Sequence, residues 1–462
     1  MRAMTTALWM PPGTSREGPA PVGPGTAVAG LALGAGAAAG VCGPTIAAAA
    51  LALPAAPLLL LAPDLALLAL VMALPFDAVA SLVDDRTLTL TRVLGGAVLG
   101  GWMLHVVARA KRVQLGRPGL LLLAYAAFAG ASIGWSNDPD ATQEALRTLA
   151  QLVFLYVMAA NVLDDWGRLA RALDVLLLAT AALAVLVLVQ ADGSAARAVL
   201  HYGTQAYNPN FLAAQLAFPA AAALAVRTRR GPIGWWRLAA VVPIGLALIA
   251  TGSRGGALAC AAGLVVVAVV RPRLGARVLA ALALTAALLP AVLSDDSMVT
   301  LRARWAAAAE DHLSGRLDIW RVGLAMVADR PLAGTGFAGF REAFYDYMLE
   351  TRVDPHFGLL HSRGNRAAHN IYLSTVAELG ITGGVLLGLA LATHGRLLWR
   401  LRRAAVVAGN RPAEDVALGL LAAFATVLVA GFGTELLLVK TPWLLLGATQ
   451  GAGIAAGWKE RP

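Results

Sequence analysis

A histidine at the predicted start of a long apolar helix could act as a general base. Residues 361–384 read HSRGNRAAHNIYLSTVAELGITGG, and their polar and basic part ends at His369 and Asn370. Asparagine is a favoured N-cap residue, so a helix is predicted to begin after Asn370 and to enter a membrane. The positive end of the helix dipole disfavours the imidazolium ion, so the His369 ring should stay neutral and able to accept a proton. The alternative interpretation is a structural histidine at a membrane surface.

Arginines are available to bind an anion beside such a base. Arg363 and Arg366 lie just upstream of the histidine, Arg254 stands in TGSRGG at a turn between two predicted spans, and Arg316 opens a predicted amphipathic helix. Taken singly, each is more simply explained by helix capping or snorkelling. Guanidinium groups bind phosphate oxygens in bidentate fashion, and a neutral imidazole can take a proton from an incoming hydroxyl. Together these groups are what a lipid-linked diphosphate would require.

Other polar residues are predicted near the same surface. Asn210 stands in YNPNFLAAQ at the outer start of another predicted span, and Asn370 could contact substrate as well as cap its helix. His361 is a further candidate contact. Neither His361 nor His356 matches a motif, so their roles stay open.

The composition is that of a helical membrane protein. The chain has 462 residues, of which 58% are hydrophobic and 14% charged, and its mean hydropathy is +0.69. Apolar runs of about 18 or more residues recur along its whole length. The net charge of +10 comes mostly from arginines in the connections, which reflects topology and argues against a nucleic-acid partner. Cys42 and Cys260 both fall in apolar segments, so neither a disulfide framework nor a metal cluster is predicted from them.

The apolar runs predict an all-α integral membrane protein with about 12 transmembrane helices (12–13). Residues 27–74 form one apolar block that Pro54, Pro57 and Pro63 interrupt, and one kinked span or two short spans would fit. The later predicted spans are 90–108, 118–135, 145–161, 168–190, 210–226, 235–250, 255–270, 276–293, 370–393, 413–433 and 441–457. Residues 1–25 are rich in proline and glycine and are predicted to be a disordered tail and not a cleaved signal.

Arginine and lysine mark one side of the membrane at alternate connections. They recur after the spans that end near residues 108, 161, 226, 270, 393 and 457. The C-terminus is therefore predicted to be cytoplasmic, and the N-terminus also if residues 27–74 cross once. The predicted organisation is a tail (1–25), an N-terminal transmembrane bundle (26–293), a large outer loop (294–368), C-terminal transmembrane helices (369–458) and a cytoplasmic tail (459–462).

The large outer loop is predicted to contain amphipathic helices. In SGRLDIWRVGLAMVADRPLAGTGF, Leu317, Trp320, Leu324 and Val327 recur at helical spacing, and polar residues occupy the other faces. A proline ends this helix and two glycines follow in a turn. The aromatic cluster FREAFYDYM (340–348) could contact sugar rings, although packing at an interface is the simpler use. A connection of this length is usually functional.

The order of these motifs resembles the O-antigen ligase and polymerase superfamily of bacterial envelopes. TGSRGG comes first, then SGRLDIWRVGLAMVADRPLAGTGFAGF, then His369-Asn370 followed at a distance by Gly380 and Gly383. The resemblance covers roughly residues 208–384 in motif order and implies a multi-pass protein of the bacterial inner membrane, of the GT-C type, whose active site faces the periplasm. It separates ligases from polymerases poorly.

The resemblance implies a reaction and roles for particular residues. The donor would be an undecaprenyl diphosphate-linked glycan and the acceptor a sugar hydroxyl of the lipid A core or of a growing polysaccharide. Transfer would invert the anomeric centre without a metal ion or other cofactor. Arg254 and Arg316 would hold the diphosphate, His369 would activate the acceptor hydroxyl, and Asn210 matches a recurrent polar position. Diphosphate leaves well once its charge is neutralised, so one base suffices.

Rival interpretations come from other classes of protein. A transporter of lipid-linked sugar would be expected to show internal repeats, and the sequence has none that we detect. A metal-dependent glycosyltransferase could use Asp84-Asp85 or Asp295-Asp296 as ligands, although such pairs more often solvate a connection. A structural assembly protein would not explain the outer arginines.

Glu378 lies nine positions after His369, on the opposite helix face and about 13 Å deeper, so it is predicted to pack against another helix of the bundle.

Overall fold

The computed structural model describes residues 62–77, 89–109, 112–190, 198–202, 205–225, 235–273, 316–351 and 366–457, with isolated positions between 283 and 303. The predicted tail 1–25, most of the apolar block 27–74 and most of the predicted span 276–293 lie outside the described residues. His356, His361 and Arg363 also lie outside them.

Helices dominate the part of the chain that the structure describes, as the sequence predicts. They are α1 (Pro63–Ala73), α2 (Leu90–Ala108), α3 (Arg117–Ala131), α4 (Pro139–Val162), α5 (Trp166–Gln190), α6 (Pro209–Ala225), α7 (Trp235–Ala250), α8 (Arg254–Val270), α9 (Arg316–Asp329), α10 (Phe340–Thr351), α11 (Ile371–Val407), α12 (Arg411–Ala430) and α13 (Lys440–Ala455). Strands β1 (His201–Tyr202) and β2 (Gln205–Ala206) pair antiparallel in a small hairpin that the sequence does not predict.

Six of these helices are long and apolar enough to cross a membrane. They are α2, α3, α4, α5, α11 and α12, in α3 together with the 3₁₀ turn that follows it. Shorter apolar helices include α6 and α8. A multi-pass membrane protein is thus supported, and the total of about 12 spans stays a prediction.

Helix α11 is longer than the predicted span 370–393 and is broken at Gly380. Its 37 residues would measure about 55 Å as one straight helix, well beyond a hydrocarbon core of about 30 Å. At Gly380 the backbone has φ 66° and ψ −172°, a conformation that is essentially restricted to glycine. Periodicity alone cannot locate such a break, because the apolar pattern continues through it.

The outer loop forms hydrogen bonds with the backbone groups that this break frees. The Thr335 N–H donates to the Ala377 carbonyl at 3.0 Å, the Gly336 N–H to the Glu378 carbonyl at 2.9 Å, and the Ile381 N–H to the Pro331 carbonyl at 2.7 Å. A Cβ atom at Gly380 would lie 2.2 Å from the carbonyl of Leu332, so only glycine permits this approach. Residues 331–336 are therefore attached directly to a membrane helix.

The opposite side of the same segment packs on the turn between α3 and α4. The indole N–H of Trp135 donates to the Ala333 carbonyl at 3.0 Å, and the hydroxyl of Thr142 donates to the Phe337 carbonyl at 2.7 Å. The segment thus lies between two parts of the bundle, which fixes its position on both sides.

Helices α9 and α10 form a small core with the chain that leads into α11. Of the four residues at helical spacing, Trp320 and Val327 pack, partly buried, against this core, whereas Leu317 is 38% and Leu324 is 59% exposed. The fully buried residues of α9 are Ile319, Val322 and Met326, which pack with Phe340, Phe344, Met348 and Ala368. Phe340 and Phe344 are buried in this core, which agrees with packing as their use.

One end of the bundle is held together by an arginine. Arg271, just after α8, forms ion pairs with Glu414 and Asp415 in the first turn of α12, both at 2.7 Å. Its Nη1 also donates to the Ala225 carbonyl at the end of α6, at 2.7 Å. The C-terminal ends of α6 and α8 therefore meet the start of α12, which runs antiparallel to both.

The opposite end of the bundle brings together the helix starts that the sequence assigns to the outer side. The hydroxyl of Ser253, before α8, donates to the side chain of Asn210 in α6 at 3.0 Å. The Ile371 N–H at the start of α11 donates to the Gly431 carbonyl, just after α12, at 2.9 Å. The N-termini of α6, α8 and α11 thus lie at one end, and with them the residues predicted to act.

Candidate active site

The backbone before α11 places His369 in an unusual conformation. The residue has φ 49°, in the left-handed region that non-glycine residues seldom adopt. Asn370 caps the helix as predicted, and its side chain accepts the N–H groups of Tyr372 and Leu373 at 3.0 and 3.2 Å. The carbonyl of the preceding Ala368 accepts the indole N–H of Trp320 at 3.1 Å. The histidine is therefore held between a capped helix and α9.

A buried carboxyl group holds the backbone of this histidine. Glu435 accepts hydrogen bonds from the N–H groups of His369 and Asn370, and the Ser374 hydroxyl donates to its Oε2 at 3.4 Å. Burial raises the pKa of the Glu435 carboxyl, and these hydrogen bonds oppose that rise. Two adjacent N–H donors on one carboxyl group explain how the strained conformation of His369 persists.

Burial and neighbouring charges favour the neutral imidazole. Burial has the largest effect in lowering the pKa of His369, and the positive charges of Arg316, Arg366 and Arg341 lower it further. The direction agrees with the sequence prediction, which rested on the helix dipole and not on burial. A neutral ring can accept a proton at neutral pH.

Arg316 is fixed by the linker that also carries Glu435. It is the first residue of α9, and its Nη2 donates to the Gly433 carbonyl at 2.9 Å. A Cβ atom at Gly433 would lie 3.3 Å from Nη1 of this arginine, so the absence of a side chain leaves room for the guanidinium. Residues 431–439, between α12 and α13, therefore position both Arg316 and the backbone of His369.

Arg254 lies with Asn210 at the neighbouring helix starts. Ser253 caps α8, since its hydroxyl accepts the Gly256 N–H at 3.2 Å, and the same hydroxyl donates to Asn210. Arg254 follows at the first helical position, half-buried, with its Nη1 shielded from solvent. Ser253 thus links the start of α8, where Arg254 stands, to Asn210, and both helix starts lie at the same end of the bundle as His369.

Two residues near the histidine were not singled out from the sequence. Arg341 lies in the second position of α10 and contributes to the field at His369. Glu435 lies in GTELLLVK, a short connection between apolar helices, where the only sequence signal is a lone acidic residue. Neither role could be derived without knowing which segments meet.

Glu378 is buried, as predicted, and it lies close enough to Tyr125 of α3 to influence that residue electrostatically. Its Oε2 also accepts the Ala338 N–H at 2.9 Å, and its carboxyl group accepts the Phe340 N–H. It therefore also binds the segment leading into α10, which the sequence does not predict. Its role is to attach the outer loop to α11.

The metal alternative involves residues that the structure does not describe. Asp84-Asp85 and Asp295-Asp296 all lie outside the described ranges. Within those ranges, no group of three or more histidine, cysteine or acidic side chains is arranged to hold a metal ion.

Residues 239–388 match the family model described as O-antigen ligase. This region contains Arg254, Arg316 and His369, whereas Asn210 and Glu435 lie outside it. The match confirms the resemblance predicted from the motif order. It indicates a membrane glycosyltransferase of the O-antigen ligase or polymerase type. No curated protein matches the chain.

Proposed function

We propose that the protein transfers a glycan from undecaprenyl diphosphate to a sugar hydroxyl of the lipid A core, at the periplasmic face of the bacterial inner membrane. The observation that carries the proposal is a half-buried histidine kept neutral by burial and by Arg316, Arg366 and Arg341. A base surrounded by guanidinium groups suits a reaction in which an anionic leaving group departs as a hydroxyl loses its proton.

The arginines would bind and stabilise the leaving group. Arg254 and Arg316 both stand at helix N-termini, where backbone N–H groups and the helix dipole add to the attraction for phosphate. The charge on the diphosphate grows as the glycosidic C–O bond breaks, so these groups stabilise the transition state more than the bound donor. Asn210 would help to orient the group through its contact beside Arg254.

The proposed transfer is a single displacement. The His369 imidazole takes the proton of the acceptor hydroxyl, the acceptor oxygen forms a bond to the anomeric carbon, and the bond from that carbon to the diphosphate oxygen breaks. The configuration at that carbon inverts. The donor's negative charge offsets the nearby arginines, which makes the imidazolium less unfavourable during transfer than in the free protein.

Histidine substitution tests this proposal. The His369→Ala protein should still bind the donor, because the diphosphate contacts are on the arginines. Transfer should fall roughly 10²–10⁴-fold, the usual value of general base catalysis. In the wild type the rate should rise with pH and level off below the ordinary imidazole pKa of about 6.5, since the pKa of His369 is lowered.

Control variants separate catalysis from folding. His105→Ala removes a half-buried histidine from α2 and should leave transfer unchanged. Near-normal transfer by a well-folded His369→Gln protein would refute the catalytic role of His369.

A polymerase acting on the same donor is the second candidate function, because the family similarity covers both types. Deletion of the gene distinguishes them. Naked lipid A core with glycan accumulating on its carrier would identify a ligase, whereas core that bears a single repeat unit would identify a polymerase.

A further inference from the structure

The turn after α9 lies beside the exposed face of a membrane helix. After the break in α11, Ile381, Val385 and Leu389 recur every fourth residue and are 50%, 52% and 45% exposed. This helix is long and apolar enough to cross a membrane, so such a face contacts acyl chains. The Pro331 carbonyl accepts the Ile381 N–H at 2.7 Å. Residues 331–333, which form the turn, therefore lie next to the first exposed residue of this face.

The turn adds an apolar side chain to the same surface. Leu332 is 70% exposed, and its carbonyl carbon and oxygen would lie 2.2 Å from a Cβ atom at Gly380. Ile133 is 40% exposed and lies just before Trp135, whose indole N–H donates to the Ala333 carbonyl at 3.0 Å. A single exposed leucine is ordinary in proteins. Here three segments that contact one another each expose a large apolar residue, which indicates a binding surface.

Polar residues directly adjoin this surface. Arg330 stands two positions before Leu332, and its Nη1 donates to the side chain of Asn137 at 2.8 Å. Trp135 stands between Ile133 and Asn137 in the chain and is half-buried. A change from polar to apolar residues over so short a distance, with a tryptophan at the boundary, is typical of the lipid headgroup level.

The backbone of the turn is bonded within the protein. Pro331 has no N–H to satisfy, and the Ala333 carbonyl accepts the indole of Trp135. The Gly334 N–H donates to the Arg330 carbonyl at 3.0 Å, and the next two N–H groups donate to carbonyls of α11. Water would satisfy such groups in an exposed loop. Non-helical backbone at membrane depth is tolerated only where protein satisfies it, so this bonding suits an environment without water.

We propose that residues 331–333 insert into the outer leaflet of the bilayer, with the Leu332 side chain among acyl chains next to Ile381. The outer loop would then bind the lipid surface directly and would not stand clear of it. Lipid is the partner that the structure favours, because the surface is continuous with the exposed face of α11, which runs on for two further turns into the membrane.

The insertion connects the bilayer to the proposed site through α9. Arg316 begins this helix, and the turn follows its end. The 14 residues of α9 span about 21 Å. Because the turn also contacts α11, lipid around Leu332 fixes one end of α9 and so the height of Arg316 at the other.

Quenching of a fluorescent label in proteoliposomes tests the proposal. The full chain with Cys42→Ala, Cys260→Ala and Leu332→Cys has one cysteine, which is labelled with nitrobenzoxadiazole. Phosphatidylcholine that carries a doxyl group near the headgroup end of its acyl chain should remove more than half of the emission. Aqueous iodide should remove little, because the label lies among acyl chains.

Two control positions calibrate the measurement. Leu349 on α10 is 53% exposed but stands beside the exposed Glu350, so the label of Leu349→Cys should respond to iodide and not to doxyl lipid. Val385 belongs to the exposed face of α11, so the label of Val385→Cys should respond to doxyl lipid alone.

Two results would overturn the proposal. Equal iodide quenching at positions 332 and 349 would place the turn in water. Protection of the label at 332 from both quenchers would show that protein covers the turn, as contact with a second copy of this chain would produce. If Leu332→Cys does not fold, Ile133→Cys provides the same comparison. The readout is quenching, so it does not depend on glycosyl transfer.

Discussion

A buried carboxyl group holds the backbone of the base. Glu435 accepts two successive N–H groups at His369 and Asn370, which fixes the direction in which the imidazole leaves the chain. Catalytic groups must be held within a fraction of an ångström of the productive geometry, and a buried carboxyl group is well suited to hold one. Glu435 is thus a positioning residue.

Replacing Glu435 should affect catalysis before donor binding. Glu435→Ala leaves two buried N–H groups without an acceptor, which costs about 1–3 kcal/mol for each, and it should lower kcat with little change in KM for the donor. Glu435→Gln keeps one acceptor oxygen and should recover part of the rate. Steady-state kinetics on purified protein give both values. Glu414→Gln is the control at the opposite end of α12, and an unchanged kcat in Glu435→Ala would reject the positioning role.

The two arginines should contribute to donor binding as bidentate cations. Arg254→Ala and Arg316→Ala should each weaken transfer by about 2–4 kcal/mol of transition-state stabilisation. Lysine should rescue only in part, because it keeps the charge but lacks the planar fork. The measurements are transfer rate and donor affinity. Arg330→Ala is a suitable control, since this half-exposed arginine binds Asn137 in the outer turn. Full activity in both alanine variants at normal expression would remove these residues from the site.

The site residues differ in how far the sequence reveals them. His369, Arg316 and Arg254 stand at helix starts, and helix starts leave local signals such as an Asn or Ser cap. Glu435 and Arg341 belong to the site only because distant segments meet. A contact between segments far apart in the chain leaves no periodic pattern in the sequence, so sequence patterns cannot predict it.

At the scale of secondary-structure elements, the break in α11 joins the membrane part to the outer loop. The helix start was predicted correctly and its length was not, because an apolar pattern continues past Gly380. In α9, only Trp320 and Val327 of the four residues at helical spacing pack against the core with α10. An amphipathic pattern predicts the helix but not the partner that covers it.

Gly380→Ala tests the importance of this break. A Cβ atom there would collide with the Leu332 carbonyl at 2.2 Å, and the backbone conformation is closed to other residues. We expect a loss of roughly 1–3 kcal/mol in stability, together with lower transfer because residues 331–336 are displaced. Gly388→Ala, in the same helix but facing open space, should be tolerated. Thermal unfolding and transfer assays compare the two, and equal melting temperatures would contradict this account.

At the scale of the whole molecule, the helical membrane class and most helix positions follow from composition and hydropathy. Arginine counts predict outer positions for Asn210, Arg254 and His369, and helix packing brings the three to one end of the bundle. The relative placement of helices far apart in the chain could not be derived in this way. Hydropathy indicates which residues are buried but not which helices they contact.

Chelation tests the proposed chemistry of the whole enzyme. If guanidinium groups alone neutralise the departing diphosphate, the purified protein should keep its transfer activity in excess EDTA. Loss of activity in EDTA and recovery with Mg²⁺ or Mn²⁺ would assign the reaction to the metal-dependent class and return attention to Asp84-Asp85 and Asp295-Asp296.

The length of α11 after Gly380 determines how far across the membrane that glycine lies from the far end of the helix. Of the 37 residues of the helix, 27 follow the break, a length of about 40 Å against a hydrocarbon thickness of about 30 Å. Near its far end Trp399 is exposed and Arg402 lies over its ring at 5.5 Å, a pair typical of the lipid headgroup level. Anchored there, the helix carries Gly380 to the opposite headgroups. His369 precedes the break, and the N–H of nearby Ile371 donates to the Gly431 carbonyl just after α12, a helix of 20 residues or about 30 Å. The base thus lies level with the end of a helix of membrane length, where the diphosphate of a lipid-linked donor would lie.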